Sequence, residues 1–133
     1  MDITYTFEVN NITKEGLEKL FLSLDWTSGT YPNKLYEAIM NSHSVVTAWD
    51  GDRLVGLINA LSDGALTTYF PYVLSDPAYQ GNGIGTVMME MMLEKYKDFY
   101  TKVLVSYPEA VDFYRQLGFS EEPTHMAMFI YTK

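Results

Sequence analysis

Residues 73–86 read VLSDPAYQGNGIGT, and this stretch decides the interpretation of the whole chain. It opens on a short apolar run, passes a proline and reaches three glycines at alternate positions, Gly81, Gly83 and Gly85. A helical pattern begins at Thr86. Glycines leave backbone N–H groups uncovered, and the start of a helix adds unpaired N–H groups and the positive end of its dipole. The stretch therefore predicts a strand, turn and helix that bind an anion, with room for a diphosphate.

Two other phosphate-binding glycine motifs do not fit this turn. A P-loop ends in Gly-Lys-Ser/Thr, whereas Gly85 is followed directly by Thr86. The dinucleotide fingerprint has two residues between its second and third glycines, and counting from Gly81 and Gly83 places the third position on Thr86. The turn also lies in the second half of the chain. A different nucleotide site in an oxidoreductase and a purely structural turn stay open as alternatives.

Downstream of the turn, the pattern predicts a helix over residues 86–96, a strand over 101–105 and a helix over 109–117. Met88, Met91 and Met92 give the first helix a broad apolar face that belongs in a core. Gly118 suits the position that closes the second helix. Met126, Met128 and Ile130 alternate with their neighbours, which predicts a last strand over residues 126–131.

Upstream, alternation over residues 3–9 predicts a half-buried strand, and apolar residues at helical spacing over 17–24 and 35–39 predict two helices. Residues 44–49 and 54–60 read as strands joined by an Asp50-Gly51 hairpin turn. Residues 67–74 read as a third partner strand. Pro71 lies inside it and predicts an edge, a bulge or a local break.

The resulting order is β, α, α, β, β, β, α, β, α, β. Strand–helix–strand units near the end favour a mixed sheet covered by helices. We therefore expect one α/β (α+β) domain over residues 1–133.

Composition excludes several classes of function. The chain has 133 residues, 47% of them hydrophobic, and a net charge of −8, which opposes nucleic-acid binding. It has no cysteine and only two histidines, His43 and His125, so no metal site is expected. The start lacks the features of a signal peptide, and no stretch has the ~20 apolar residues of a membrane span. We expect a cytoplasmic protein with no nucleic-acid or membrane partner.

Gln80, Gly83 and Gly85 fit the pattern Gln/Arg-x-x-Gly-x-Gly/Ala, which resembles motif A of the GNAT N-acetyltransferase superfamily. Residues 110–119, AVDFYRQLGF, resemble the family's motif B, and residues 45–56 resemble its central hairpin. The resemblance covers about residues 44–119. Residues 49–85 look most like a small-protein branch related to arylalkylamine acetyltransferases.

The resemblance implies a GNAT fold with a mixed sheet of about six to seven strands and about four flanking helices. Two parallel strands, here residues 67–75 and 101–105, should splay apart and hold acetyl-CoA between them. Tyr114 matches the family's general acid, which protonates the leaving thiolate. A backbone N–H near Leu74 or Ser75 should stabilise the oxyanion. The implied cofactor-binding residues are Val73, Leu74, Ser75, Gln80, Gly81, Asn82, Gly83, Gly85, Thr86, Tyr107 and Phe113.

Three of these positions depart from the family's usual residues. Asn82 stands where the family often has lysine or arginine, Ser75 where valine is usual, and Tyr107 where an asparagine often contacts the cofactor. The lost charge at position 82 predicts weaker phosphate binding. The main contacts are expected from the backbone, so none of the three changes removes a required atom.

The general base is left open by the sequence. The family often has a carboxylate on the strand before motif A, and residues 66–74 hold none. Asp63, Glu37, Asp25 and His43 are candidates, and a chain of water molecules is an alternative. Aromatic candidates for the wall of an acceptor pocket are Trp26, Tyr31, Tyr36, Tyr69 and Tyr72.

We therefore expect an enzyme that transfers an acetyl group from acetyl-CoA to a primary amine by direct attack through a tetrahedral intermediate. Net acidity favours a cationic small-molecule acceptor. An aralkylamine, a polyamine, an amino acid and a protein lysine stay open as acceptors, and so do a monomer and a homodimer. A non-catalytic CoA-binding sensor or interaction module is the alternative function, and a domain without any ligand is a further one.

Overall fold

Six strands and four α-helices follow one another in the computed structural model, which describes residues 2–132. Three short 3₁₀ helices join them, at Thr27–Thr30, Pro77–Tyr79 and Pro108–Ala110. The strands are β1 (Ile3–Thr6), β2 (Ser44–Asp50), β3 (Arg53–Ser62), β4 (Thr67–Tyr69), β5 (Val73–Ser75) and β6 (Thr101–Val103). The helices are α1 (Lys14–Leu22), α2 (Pro32–Met40), α3 (Ile84–Lys95) and α4 (Val111–Gln116).

The strands form one mixed sheet in the order β1-β2-β3-β4-β6, with β5 also paired to β3. The pairs among β1, β2 and β3 are antiparallel, and β4 and β6 are parallel. Asp50 pairs with Arg53, so a two-residue turn joins β2 to β3, and its first residue Gly51 has a φ of +59°. The hairpin predicted at Asp50-Gly51 and the mixed α/β fold are both confirmed.

The predicted strand over residues 67–74 is broken at Pro71 into β4 and β5. Proline has no N–H for the ladder, so regular pairing with β3 stops there. Asn59 on β3 compensates at the next residue: its side-chain Oδ1 accepts from the Tyr72 N–H at 3.0 Å, and its own N–H donates to the Tyr72 carbonyl at 3.2 Å. Asn59 is buried. The break is therefore a fixed feature of the sheet.

The two parallel strands separate just beyond this break. β4 lies beside β6, and their last backbone contact joins the Phe70 N–H to the Val103 carbonyl at 3.0 Å. β5 continues along β3, whereas the chain leaves the sheet after Val103, two residues earlier than predicted. A V-shaped opening therefore lies between β5 and residues 104–107, and the expected splayed strand pair is confirmed.

Helices cover both faces of the sheet. The apolar faces of α1 and α2 pack against one side, with Leu17, Phe21 and Ile39 fully buried. α3 packs against the other side through its methionines. At Gly56 on β3 a Cβ atom would lie 2.9 Å from Cε of Met88, so glycine allows this helix to approach the sheet closely. The predicted methionine core is confirmed, since Met88, Met89 and Met92 are buried and Met91 is partly so.

The predicted last strand is wrong. Residues 126–131 pair with no strand anywhere in residues 2–132. Their alternation is real, but one side faces a cleft and the other faces solvent, because Phe129 and Tyr131 line the cleft while Met128 and Ile130 are exposed. Alternation along a segment carries no information about whether a partner strand lies beside it.

The predicted helix over residues 109–117 is also divided, into a 3₁₀ turn at Pro108–Ala110 and α4. Gly118 follows α4 with a φ of +103°, the closing role predicted for it. α3 begins at Ile84, two residues before the predicted start. None of the helices described is long and apolar enough to cross a membrane.

Candidate active site

The glycine-rich turn joins β5 to α3 and presents bare backbone to open space. Gly81 has a φ of +86° and Gly83 a φ of +73°, a region that L side chains enter only with strain. A Cβ atom built on either glycine would have no heavy atom within 4 Å. Nothing in the fold fills the space in front of these two glycines, so a ligand group fits there.

The first turn of α3 points its unpaired N–H groups at the same space. The first helical hydrogen bond runs from the Val87 N–H to the Gly83 carbonyl at 3.1 Å, so the N–H groups of Ile84, Gly85 and Thr86 precede the helical ladder. No side chain caps this end, and its first turn has no acidic residue. With the helix dipole, these N–H groups favour an anion.

Gly85 has a different role from its two neighbours. A Cβ atom there would lie 3.2 Å from Cζ of Phe113, so a side chain would crowd the ring on α4. Its φ is not in the positive region. Gly85 therefore lets α4 pack closely against the start of α3, which brings motif B to the glycine turn.

Two side-chain pairs brace the residues before the turn. The Tyr79 hydroxyl donates to Oδ2 of Asp50 at 2.5 Å, and this bond, together with burial, raises the pKa of Tyr79. Arg53 donates to Oδ2 of Asp76 at 2.7 Å, and the Asp76 Oδ1 accepts from the Ala78 N–H at 2.9 Å. The Arg53 guanidinium also lies 5.2 Å from the centre of the Tyr79 ring. The contacts of Arg53 with Asp76 and Tyr79 therefore hold the segment before the glycine turn in place.

The side chain of Asn82 stabilises the glycine-rich turn by a hydrogen bond within it. Its side-chain Nδ2 donates to the Tyr79 carbonyl at 2.8 Å. The side chain that replaces the family's usual cation is thus used for loop structure. Asn82 is also the one implied cofactor-binding residue that does not line the cleft described next.

A cleft of about 850 Å³ extends from the glycine turn past β5 to α4. No lysine or arginine lines it among residues 2–132, and its carboxylates are Asp25 and Glu109. Any attraction for a polyanion therefore comes from backbone N–H groups. Besides Tyr114, the implied residues that line this cleft are Val73, Leu74, Ser75, Gln80, Gly81, Gly83, Gly85, Thr86, Tyr107 and Phe113.

The free edge of β5 supplies further backbone groups to the cleft. The Asp76 N–H donates to the Val55 carbonyl, and β5 pairs with β3 in antiparallel register. Backbone groups alternate in direction along such a strand, so those of Val73 and Ser75 point away from β3 and into the V-shaped opening, while those of Leu74 point towards β3. Of the two residues expected near the oxyanion, Ser75 has the N–H that faces the cleft.

Tyr114 on α4 lies where this cleft meets a second one, and it lines both. Its ring packs edge-on against Phe113 at 5.1 Å and against Phe119 at 5.9 Å between ring centres. Burial raises the pKa of its hydroxyl to about 12. The group is therefore protonated at neutral pH and can donate a proton.

The second cleft, of about 520 Å³, has mainly aromatic walls. Tyr72 is fixed by a 2.6 Å hydrogen bond between its hydroxyl and Oγ of Ser28 and by edge contact with Phe21, whose ring centre lies 5.0 Å away. Sequence reasoning missed Ser28, Phe129 and Tyr131 as lining residues, and the aromatic alternation of the last two was the signal available. Trp26, Tyr69 and Tyr72 line this cleft as expected, whereas Tyr31 and Tyr36 do not.

Asp25 is the base candidate that the fold brings to the site. It lines both clefts beside Trp26 and is the only carboxylate among the described residues around the aromatic cleft. Its φ is +56°, an uncommon value for a residue with a side chain. A cationic group bound in the aromatic cleft would therefore lie near the carboxylate of Asp25.

The other base candidates lie elsewhere. Asp63 accepts hydrogen bonds from three backbone N–H groups, of residues 65–67, which lower its pKa and show that it fixes a turn. His43 is held by the hydroxyl of Tyr96, 2.7 Å from its Nδ1. Glu37 lines neither cleft. In the part of the chain that the structure describes, no three metal-ligating side chains converge.

The chain is similar to known proteins along nearly its whole length. A family model described as an acetyltransferase (GNAT) domain matches residues 8–127. "Uncharacterized N-acetyltransferase ycf52" of Porphyra purpurea is 28% identical over 137 residues, which cover 97% of this chain and 78% of that protein. "Histone acetyltransferase TAP1" of Glycine max is 32% identical over 104 residues, which cover 68% of this chain but only 45% of that protein.

The fold is shared with solved structures as well. An acetyltransferase described as a GNAT family protein from Streptococcus pneumoniae superimposes with a TM-score of 0.80 and 27% identity, over 99% of this chain and 97% of the other. The matched family model spans the glycine turn, α4 and every residue that lines the cofactor cleft. The chain is thus an acetyltransferase of the GNAT family, to which it belongs by sequence and by fold.

Proposed function

We propose that this protein transfers an acetyl group from acetyl-CoA to a primary amine. The observation that carries the proposal is the shared cleft: the bare glycine turn at the start of α3, the free backbone edge of β5 and the hydroxyl of Tyr114 all border it. The turn fits a diphosphate because Gly81 and Gly83 leave open space where side chains would otherwise stand. We also propose that residues 1–133 form one acetyltransferase domain that acts in the cytoplasm.

The cofactor would be held mainly by backbone groups. The N–H groups of residues 81–86 would bind the pyrophosphate, including those at the open end of α3. Val73 and Ser75 offer outward N–H and carbonyl groups to the amides of a pantetheine arm, which would pair with β5 as a strand does. Tyr107 and Phe113 wall the same cleft. Asn82 contributes by fixing the turn.

When bound, acetyl-CoA supplies a thioester whose carbonyl carbon is attacked directly by the amine, through a tetrahedral intermediate. Ser75 directs its N–H into the cleft, where it would stabilise negative charge on the carbonyl oxygen. Tyr114 would give its proton to the departing thiolate, since its hydroxyl is protonated at neutral pH and borders both clefts. No covalent bond to the protein is needed, in keeping with the absence of cysteine.

The acceptor would enter through the aromatic cleft, which meets the cofactor cleft at Tyr114. Asp25 stands at the same junction and would hold the ammonium form of a small cationic amine before that amine loses its proton to solvent. The net charge of −8 adds long-range attraction for a cation and opposes nucleic-acid binding.

Thermal unfolding with and without millimolar CoA, acetyl-CoA and NAD tests the cofactor site. A ligand at ~100 times its dissociation constant stabilises by ~2.7 kcal/mol, which raises the midpoint by several degrees in a domain of this size. A rise with the CoA species alone supports the proposal. A rise with NAD, or with none of the three, would contradict it.

Turnover is then tested with a panel of amines and detection of the released thiol. The panel should hold aralkylamines, polyamines, amino acids and a lysine peptide at equal concentration. Cationic small amines are expected to react fastest. Binding of CoA without release of thiol from any amine would instead support the non-catalytic CoA-binding alternative.

A further inference from the structure

Two hydroxyl groups form a hydrogen-bonded pair in the wall of the aromatic cleft. The hydroxyl of Tyr72 and Oγ of Ser28 lie 2.6 Å apart, and both residues line the cleft. One hydroxyl donates its proton to the other, which leaves the second proton and further lone pairs available. Within residues 2–132 neither hydroxyl has another hydrogen-bond partner. The pair can therefore donate a hydrogen bond to a molecule in the cleft and accept one from it.

The backbone that carries both hydroxyls is fixed. Ser28 lies in the 3₁₀ turn Thr27–Thr30. A Cβ atom on Gly29, the next residue, would lie 3.0 Å from side-chain atoms of α1, so glycine lets this turn pack closely on that helix. Tyr72 is held to β3 by its two backbone hydrogen bonds with Asn59. A ligand group at the pair would therefore meet hydroxyls at a defined position, as a specificity contact requires.

The hydroxyl pair and Asp25 lie at different parts of the aromatic cleft. Asp25 and Tyr114 line both clefts, so they mark the junction at which the amine would react. Ser28 and Tyr72 line the aromatic cleft alone. Because Asp25 and Ser28 are three residues apart, their Cα atoms are separated by at most about 11 Å. One small molecule can therefore reach the carboxylate with one end and the hydroxyl pair with the other.

The charges of the cleft restrict the chemistry of such a molecule. In the part of the chain that the structure describes, Asp25 is its only carboxylate, and no lysine or arginine lines it. A polyamine would leave its second ammonium group without a carboxylate, and the carboxylate of a free amino acid would have no cation to pair with. The hydroxyl pair can bind a neutral polar group without either penalty. The far end of the acceptor is therefore neutral and polar.

Aromatic side chains form much of the wall around these two polar ends. The ring centres of Trp26 and Tyr72 lie 6.2 Å apart, and those of Phe129 and Tyr131 lie 5.6 Å apart in a stacked arrangement. All four residues line the cleft. Such walls offer stacked and edge-on contacts to a flat ring, which a flexible carbon chain such as a lysine side chain does not use. The body of the acceptor is therefore expected to be an aromatic ring.

We propose that the hydroxyl pair of Ser28 and Tyr72 selects an acceptor amine that carries a hydroxyl group on an aromatic ring. In this arrangement the ammonium group binds Asp25, and the ring hydroxyl accepts a hydrogen bond from the pair and donates one to it. A site built to bind a hydroxyl rejects an analogue without one, because its own polar groups are then left unpaired. This inference rests on the proposed function and names the class of acceptor.

Binding of two amines that differ only in the ring hydroxyl tests the inference. Tyramine has that hydroxyl and phenethylamine lacks it, and each is titrated by calorimetry into the protein alone and into the protein saturated with CoA. Tyramine should bind about 10-fold more tightly. Apolar burial by itself would favour phenethylamine, the less polar of the two. Equal affinities, or tighter binding of phenethylamine, would overturn the inference.

The double variant Ser28→Ala/Tyr72→Phe removes both hydroxyls and keeps the aromatic ring. Both must be removed, because either hydroxyl alone still offers a hydrogen bond to the ligand. The ratio of the two affinities should fall from about 10 to about 2, and a general loss of stability affects both amines and cancels in this ratio. Tyr36→Phe is the matched control, since Tyr36 packs in the same core cluster but lines neither cleft, and it should keep the wild-type ratio.

A double variant that keeps the wild-type ratio would show that the hydroxyl pair only ties the 3₁₀ turn to the sheet, and the inference would be wrong. Tyrosine, which adds a carboxylate to tyramine, and a linear diamine should each bind at least about 10-fold more weakly than tyramine. A polyamine or a lysine peptide that binds more tightly than tyramine would also overturn the inference.

Release of thiol separates this inference from the proposed function. With acetyl-CoA present, tyramine should show a kcat/KM about 10-fold above that of phenethylamine. Preferential binding of tyramine without release of thiol would count against the proposed function and leave the selection of the hydroxyl standing. Release of thiol from both amines at equal kcat/KM would support the proposed function and refute the role of the hydroxyl pair.

Discussion

The two clefts of this protein are built in different ways. The cofactor cleft is made chiefly from one continuous stretch, residues 73–86, together with α4, and its expected ligand contacts are backbone groups. The aromatic cleft collects side chains from five separate parts of the chain: residues 25–28 after α1, the break at Pro71, residues 105–107, the segment with Ala110 and Tyr114, and residues 129 and 131. A site carried by local backbone conformation leaves a readable pattern of glycines. A site made of distant side chains does not.

Tyr114 joins the two clefts, so its removal should have the largest effect. Tyr114→Phe keeps the ring that packs on Phe113 and Phe119 and removes the proton donor. We expect kcat to fall about 100-fold or more, the usual range for loss of a general acid, while the dissociation constant of CoA stays within about 2-fold. Stopped-flow detection of the thiol and calorimetry measure the two.

Tyr131→Phe is the control for this variant, because Tyr131 lines the aromatic cleft alone. It should change kcat little. A Tyr114→Phe enzyme with wild-type kcat would mean that another group, or water, protonates the thiolate.

Cofactor binding can be weakened by adding one methyl group to the glycine turn. Gly83→Ala places a Cβ in the open space before α3 at a φ of +73°, and the left-handed conformation costs ~1–2 kcal/mol for an L side chain. CoA binding should weaken by about 10-fold, measured by calorimetry, with a lower unfolding midpoint and an unchanged KM for the amine. Gly64→Ala has a similar φ, +77°, in the turn between β3 and β4, lines neither cleft, and should lose stability alone.

Binding of the acceptor can be weakened by a substitution at Asp25. Asp25→Asn removes the one described carboxylate of the aromatic cleft, and the KM for a cationic amine should rise about 10-fold. CoA binding should not weaken, because Asp25 also lines the cofactor cleft and the substitution removes a negative charge from it. Glu37→Gln, a matched loss of charge outside both clefts, should leave both constants as they were. Equal effects of the two substitutions would show that only the net charge matters.

The sequence predicted the residues of the cofactor cleft better than those of the aromatic cleft, for physical reasons. Every residue expected at the cofactor cleft except Asn82 lies on its wall, because positive φ, a helix start and a strand edge are local properties. The break at Pro71 was equally local, since proline has no N–H.

Predictions failed where a residue's partner is far away in the sequence. Tyr31 and Tyr36 are as aromatic as Tyr72, and only the packing of α1 and α2 on the sheet decides that Tyr72 lines the cleft. Residues 126–131 alternate between two faces as a strand does. A strand also requires a partner strand, and the alternation does not show whether one is present. Asp25 could not be chosen over Asp63 until the fold placed one in a cleft and the other in a turn.

The high pKa of Tyr114 predicts a stability effect in strongly alkaline solution. Because its folded pKa, about 12, lies above the ordinary value of 10.0, the folded state keeps a proton that the unfolded state loses. Stability from this group is complete below pH 10 and falls as the pH rises towards 12, by at most about 1.4 kcal/mol per pH unit. Urea unfolding at several pH values should show a smaller decline in Tyr114→Phe than in the wild type. Parallel declines would mean that the tyrosine is not desolvated.

The smallest effect tests whether the cofactor cleft relies on backbone alone. Asn82→Ala removes the hydrogen bond to the Tyr79 carbonyl and adds no charge, and should weaken CoA binding by about 3-fold, as the loss of one modest hydrogen bond implies. Asn82→Arg loses the same bond but places a cation beside a cleft that has none among its described residues. At low salt it should bind CoA about 10-fold more tightly than Asn82→Ala, and the difference should shrink in about 0.5 M salt because exposed charges are screened. A difference that salt does not change would show that the added side chain acts by packing. No difference at all would place the phosphates away from this turn, and the glycines of residues 81–85 would then serve only to join β5 to α3.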